Sequence, residues 1–453
     1  ILRYKAGKSN WQSWHNGAIA ATGFLLRDPA MVDFAINDPK HGFLYQMNAS
    51  VLPSGMWYEG APSYHWYALK AHVYLLEAAE RSGVDLYALP VVHALFDGPT
   101  QPLFPDMTYP AINDSSRSSI RGASLYYEIA YRRYADPNYL ALREPRTSPY
   151  ALLWGKDAPE GSDAPKLELT TSNDKEGGLA ILRDTARDAA LFFNYNPEKG
   201  GHTHAAKLDL ILYANGDERI VDPGRLSYGN PLHGGWYTQT LAHNTVVVDQ
   251  KTQARASGVY NTFAVGENAS LVRASLDSAY ESVSMTRSIV FHDGVIVDQF
   301  QCRSEGEHSY DLPLHVNGTV GDLGTGTPVS LGEDNGYQHL KDLLRLDVAP
   351  SEFPIDTGKG TSLHVTFLET SEVFFGEGRA QPATHYIPMV LRRQQGKDAT
   401  FTTVIQLLND GDVPQKITAP TESNPGVSIG DRVVSFEADR IVLQVGDTPL
   451  LEG

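Results

Sequence analysis

Two hydrophobic rhythms divide the chain. Up to residue 150, apolar positions recur every three or four residues. Tyr64, Tyr67, Ala68, Ala71, Leu75 and Ala78 fall on one face at that spacing, and Ser82-Gly83 closes the run. Trp14 to Leu26 is rich in alanine and apolar residues and stops at Asp28-Pro29, a pair that disfavours continued helix. Ile120, Ala123, Tyr127, Ala130 and Tyr134 repeat the pattern and end at Asp136-Pro137. Each series predicts a helix with one buried face, and Tyr67 is expected in the core. Between them lie long loops rich in proline, glycine and aromatics, 53–60 and 104–110. Loops of that kind on a helical scaffold commonly carry function.

A linker is expected over Gly155 to Asp163, and beyond it the rhythm is that of strands. Runs at 189–195, 208–213, 245–248, 284–291, 295–300, 363–368, 387–392, 400–407 and 440–445 are strand-like. Asn215-Gly216, Asp293-Gly294 and Gln395-Gly396-Lys397-Asp398 read as hairpin turns. The expected fold class is therefore α+β and multidomain, with a helical domain over 1–150 and a large antiparallel β-sandwich over 151–453.

Composition adds limits. In a chain of 453 residues, a formal net charge of −17 argues against nucleic acid as a partner. No stretch of 18 apolar residues exists, so no transmembrane helix and no membrane partner are expected. The single Cys302 excludes an internal disulfide. Ile1-Leu2-Arg3-Tyr4 carries neither an initiator methionine nor a signal peptide, which suggests a processed or partial chain.

Candidate chemistry concentrates in Gly200-Gly201-His202-Thr203-His204 and the segments after it. His204, Asp222 and His243 are residue types that a zinc ion accepts, and His202 is left for chemistry. No organic cofactor is expected. Among the helices, Asn10, Trp14, His15 and Asn16 mix amides and an imidazole with tryptophans, the residue types of a sugar-binding cleft. Tyr64 sits near the start of its helix, after the loop that holds Glu59, a further candidate substrate contact. Arg225 and Lys207 offer positive charge, and Trp236 and Tyr237 are candidate cleft-lining rings. A hydrolase would need two carboxylates, for which Glu59 and Asp106 are available.

The order Trp-His-Asn, Tyr-Glu-Gly-x-x-x-Tyr-His, Gly-His-x-His, Val-Asp-Pro-Gly and Ala-His-Asn-Thr-Val-Val-Val-Asp resembles the heparinase II/III-like polysaccharide lyases. It is most similar to the fifteenth polysaccharide lyase family, of exolytic oligoalginate lyases and heparin-acting relatives. The resemblance implies an incomplete (α/α) toroid followed by antiparallel sheets, and further N-terminal sequence in the intact enzyme. It implies β-elimination on an acidic oligosaccharide, alginate first and heparin or heparan sulfate second, and a periplasmic or secreted location. His15 is then the candidate base and Tyr64 the candidate acid, with Asn16 and His202 meeting the uronate carboxylate. Tyr228 matches by position a tyrosine of the β domain, and a structural zinc would hold the loop presenting His202 and Tyr228. Two departures stand out. Ala206 lies where many relatives have aspartate, and His15-Asn16 lies where some have Asn-His. A non-catalytic sugar-binding protein remains the reading of another class.

Overall fold

The computed structural model describes residues 5–143, 148–159, 165–198, 201–358, 360–421, 425–446 and 448–453. Gly200, residues 1–4 and positions 160–163 of the expected linker lie outside the described residues. The chain divides into two compact units. One runs to Thr170 and includes the short stretch ending at Thr203; the other holds Thr171–Glu198 and His204–Gly453.

The first unit is helical: α1 (Asn10–Leu26), α2 (Pro29–Asn37), α3 (Phe43–Ser50), α4 (Pro62–Arg81), α5 (Pro90–Asp97), α6 (Ser124–Tyr134) and α7 (Pro149–Trp154). Asp28 ends α1 as expected, and its carboxylate also caps α2 by accepting from the amides of Ala30 and Met31. The unit extends past the boundary expected at 150 because Trp154 on α7 donates its indole N–H to Glu77 on α4. Helices α1 and α4 approach closely at Gly17. A β-carbon there would lie 2.8 Å from the Ala71 carbonyl, so only glycine permits the contact. Ile19, Phe43, Leu69, Leu75, Phe96 and Tyr127 fill the core.

The expected burial of Tyr67 is corrected. Its side chain is 46% exposed, and it packs on the Trp14 ring with centroids 5.2 Å apart. Ala68, Ala71 and Leu75 form the buried stripe, and Tyr67 falls on the stripe's edge, where a long ring can lean outward.

The second unit is antiparallel throughout its paired strands. A five-stranded sheet runs from Ser172–Asp174 to Asp217–Ile220 in sequence order. A 12-stranded sheet is built around Val295–His315 and Tyr386–Asn409, and a second five-stranded sheet spans 417–452. Residues of the large sheet alternate between two cores. Ile289, Phe291, Ile296 and Phe300 pack with Leu191, Phe193 and Leu212 of the first small sheet. Val290, Val295, Val297 and Val404 pack with Val427, Ile429 and Leu443 of the other. The large sheet is thus covered on both faces there, which explains its uninterrupted apolar runs.

Asn215-Gly216 and Asp293-Gly294 are hairpin turns with positive φ at both positions, as expected. The hairpin expected at 395–398 is absent. Tyr386–Asn409 continues as one strand through Gly396, paired along its length with Val295–His315. Gly396, at φ 152, absorbs the register shift between Arg303 and His308 on the partner strand. No described helix is long and apolar enough to cross a membrane.

Candidate active site

In the helical unit, the start of α4 is fixed by one short bracket, Asn113-Asp114-Ser115. Asn113 Nδ2 donates to the Gly60 carbonyl at 2.8 Å, and Ser115 Oγ accepts from the Ser63 amide at 3.0 Å. Asp114 Oδ2, between them, lies 3.0 Å from Nδ1 of His202. The Asp114 amide also donates to the His202 carbonyl at 3.1 Å. All three bracket residues are buried. The result is a parallel stack of the Tyr64 and His202 rings, with centroids 3.5 Å apart and planes inclined by 18°. A phenol and an imidazole held this way lie within reach of a single sugar ring. The sequence reading missed Asp114. Its only signal was a run of three polar residues beside an aromatic, proline-rich loop.

His15 lies on α1, partly buried, beside Trp14. The Trp14 ring meets Tyr67 and Tyr74, and the Lys70 ammonium stands 6.0 Å from its centre. These aromatic rings form a partly exposed strip along α1 and α4.

Three substrate-binding assignments are corrected by burial. Asn16 is fully buried; its amide donates to the His41 carbonyl at 2.6 Å and to Gln46 Oε1, and it accepts from Gln12. Helical spacing places it on the face of Gln12, Ile19 and Gly23, inside the unit. Asn10 is 2% exposed and donates to Glu59 Oε2 at 2.6 Å. Glu59, equally buried, also accepts the Trp57 indole N–H at 2.9 Å. Asn10 and Glu59 therefore brace α1 against the loop before α4. The hydrolase pair fails with them, since Asp106 is paired to Arg117 at 2.7 Å while Glu59 is engaged internally.

In the β unit, Asp222, His243 and Asp209 converge. One ligand-capable atom from each lies within 4.8 Å of the others, and all three residues are buried. His243 Nδ1 lies 3.1 Å from Asp222 Oδ2, and its Nε2 lies 3.0 Å from the Tyr237 carbonyl. His204 stands alongside, its ring centroid 5.5 Å from that of His243. Burial disfavours charge on both His243 and Asp222. Their mutual attraction outweighs it, raising His243 above and lowering Asp222 below the ordinary range. Asp209 moves the other way, raised by burial and then by the negative charge of Asp222. Its Oδ1 accepts the Asn244 amide at 2.7 Å, while Oδ2 is buried with no hydrogen-bond partner among the described residues.

A chain of rings leads outward from this cluster. His233 lies 6.1 Å from His204 and, edge-on, 5.0 Å from Tyr228. Tyr228 is 55% exposed, and the Arg225 guanidinium lies 5.4 Å from its ring centre. His233 thus joins the two candidate groups. Lys207 is buried and donates to Asn196 and to the His204 carbonyl. It braces the loop and does not face solvent. Trp236 and Tyr237 are corrected as cleft-lining rings. Both are fully buried and donate to the carbonyls of Arg379 and Ala380. The π-helical turn His233–Tyr237 carries them into a core with Leu241 and Met389.

With this geometry in place, comparison with known proteins is specific. Residues 172–395 match the family described as heparinase II/III-like, C-terminal. Residues 172–395 belong to that family. Residues 3–94 match the alginate lyase family, so the heparinase II/III-like region follows an alginate lyase-like helical one. An alginate lyase of Stenotrophomonas maltophilia is 30% identical over 395 residues, covering 73% of this chain and 51% of that protein. An exo-oligoalginate lyase of Saccharophagus degradans is 26% identical over 387 residues, covering 73% and 52%. The chain thus spans about half the length of these curated relatives. Among solved structures, heparan sulfate lyase HepC from Pedobacter heparinus superposes with a TM-score of 0.72 at 14% identity. That match covers the whole of this chain and 67% of that one. Heparinase III gives 0.71 at 13%, covering 99% and 68%. At such identities the likeness is one of fold.

Proposed function

We propose that this chain carries the catalytic cleft of a polysaccharide lyase that cleaves uronate-containing oligosaccharides by β-elimination, most suitably oligoalginate from a chain end. The observation that carries the reading is the Tyr64–His202 stack anchored by Asp114. The curated alginate-acting relatives support it. On this reading the helical unit is part of an incomplete (α/α) toroid, and the intact enzyme has further N-terminal sequence. A periplasmic or secreted location suits an oligosaccharide substrate.

The reaction removes the proton at C5 of the uronate, breaks the C4–O4 bond of that same ring so that O4 leaves with the neighbouring sugar, and leaves a C4=C5 double bond. A base must take the C5 proton, a donor must reach O4, and the carboxylate must bear extra charge in between. Tyr64 is the donor to O4. Asp114 orients the His202 ring through Nδ1, and His202 is the candidate contact for the uronate carboxylate. His15 remains the candidate base. With Asn16 engaged inside the unit, His202 takes the larger share of carboxylate stabilisation. Tyr228 and Arg225 are further candidate substrate contacts.

The same reading includes one structural zinc at His204, Asp222 and His243. The donor set fits. When a neutral His243 donates Nε2–H to the Tyr237 carbonyl, its Nδ1 lone pair faces Asp222, an arrangement that calls for a cation between them. Such an ion would fix the segment between His204 and His243 and, through His233, the Tyr228 loop. All the acid and base steps stay with side chains.

The test is the product. The full-length enzyme given alginate oligomers should release products absorbing in the ultraviolet band of a 4,5-unsaturated uronate. Saturated reducing sugars would establish hydrolysis instead. Heparan sulfate oligomers in the same assay decide the substrate class.

A further inference from the structure

The carboxylate of Asp209 has no place in the chemistry above, yet it is one of the most constrained groups in the β unit. It is 0% exposed and lies on the strand Asp209–Ala214. One oxygen is fixed by the amide of Asn244, the residue after His243. The other is buried with no hydrogen-bond partner among the described residues. Its ligand-capable atom lies within 4.8 Å of those offered by Asp222 and His243.

Charge counting sharpens the problem. The nearest cation, Arg287, is already held by both oxygens of Asp298 at 2.8 and 2.7 Å and by the carbonyls of Leu208 and Asn244. Two buried carboxylates, Asp209 and Asp222, thus face two imidazoles. A divalent ion between these side chains gives the orphaned Asp209 oxygen a partner.

We infer that Asp209 is a fourth protein ligand of the metal centre, which closes it as a two-histidine, two-aspartate site with no position for water or substrate. This inference rests on the metal reading above and gives it a definite consequence. Four protein ligands mark a structural site, whereas a catalytic zinc keeps one position open.

The experiment uses the full chain loaded with zinc, and separately with Co²⁺. Wild type should hold one equivalent of zinc. Asp209→Asn preserves the acceptor for the Asn244 amide and the side-chain size. It should fold, yet yield zinc to a chromophoric chelator at least 10-fold more readily. The visible spectrum of the Co²⁺ form should be unmoved by azide, because no position is open. Wild-type zinc with unchanged affinity in Asp209→Asn, or a Co²⁺ spectrum shifted by azide, overturns the fourth ligand and leaves the three-ligand site standing. Wild type free of zinc overturns the metal reading and this inference together. Should Asp209→Asn fail to fold, the azide titration on wild type decides alone.

Discussion

Nδ1 of His202 lies 3.0 Å from the Asp114 carboxylate, and the Tyr64 ring stacks on that imidazole. On the proposed reading the aspartate orients the imidazole without touching the sugar, so its charge should matter. Asp114→Asn keeps the size and loses the charge. Turnover should fall by about 10- to 100-fold, as for other groups that orient a working histidine, with the melting temperature near wild type. Initial rates of unsaturated-product formation check this, and a fully active variant would remove Asp114 from the site.

Tyr64→Phe removes a single hydroxyl from a ring whose packing should survive. If that hydroxyl protonates O4, turnover drops about 100-fold or more, and substrate binding changes little because the loss falls on the transition state. Tyr67→Phe is the comparison. Tyr67 leans on Trp14 at the edge of the helix with half its surface exposed, and its hydroxyl should be dispensable. Loss of activity in Tyr67→Phe with Tyr64→Phe intact would move the acid one helical turn along α4.

Zinc removal should loosen the β unit. A ligand present at a hundred times its Kd adds about 2.7 kcal/mol, and each kcal/mol moves a unit of this size by roughly 2 °C. Chelation should therefore lower the β-unit transition by roughly 5 °C, and His243→Ala should abolish that response. An unchanged melting curve in chelator, from protein shown to contain zinc, would make the ion incidental.

Arg287 supports the same segment from behind. Its guanidinium is 1% exposed, forks onto Asp298 and donates to the carbonyls of Leu208 and Asn244, next to Asp209 and His243. Arg287→Ala strands a buried carboxylate and two carbonyls and should cost about 3–5 kcal/mol. Arg287→Lys should rescue little, because one ammonium cannot fork and reach both carbonyls. Urea denaturation followed on the β unit measures both.

What the sequence disclosed and what it hid divide along physical lines. The long helix α4 announced itself through its alanine stripe, and the Asn-Gly and Asp-Gly turns through residues that tolerate positive φ. Short α2 and α3, nine and eight residues long, have too few turns to show a period. Gly396 mimicked a turn because a glycine that relieves a register shift looks the same as one that closes a hairpin. Asp209 was hidden by its strand: in Lys207-Leu208-Asp209-Leu210 an alternating acid reads as a solvent position, and only the fold shows that position buried. Asp114 lacked any motif spacing, since its partner lies 88 residues away. Trp236 and Tyr237 were drawn to the cleft by their chemistry, whereas the turn that contains them points inward.

Acid should weaken the helical unit through two buried histidines. Burial lowers His65 to about 4, partly offset by its bond to the Leu95 carbonyl. Burial, and then the charge of His65, lowers His72 to about 3. His72 lies between Phe43 and Trp57, and among the described residues neither of its ring nitrogens has a hydrogen-bond partner. In the unfolded chain both titrate near the usual 6.5. The unfolded state therefore binds more protons over the window from about 6.5 down to 4, and stability rises with pH across it. The loss on acidification begins below pH ~6.5 and levels off once the folded-state values are passed. Carboxylates add their own acid sensitivity, so the variant carries the test. His72→Leu removes one titrating ring from an apolar pocket and should make the melting temperature of the helical unit less steep between pH 6.5 and 4. Equal slopes for wild type and His72→Leu would mean that His72 is already charged or solvated in the folded protein.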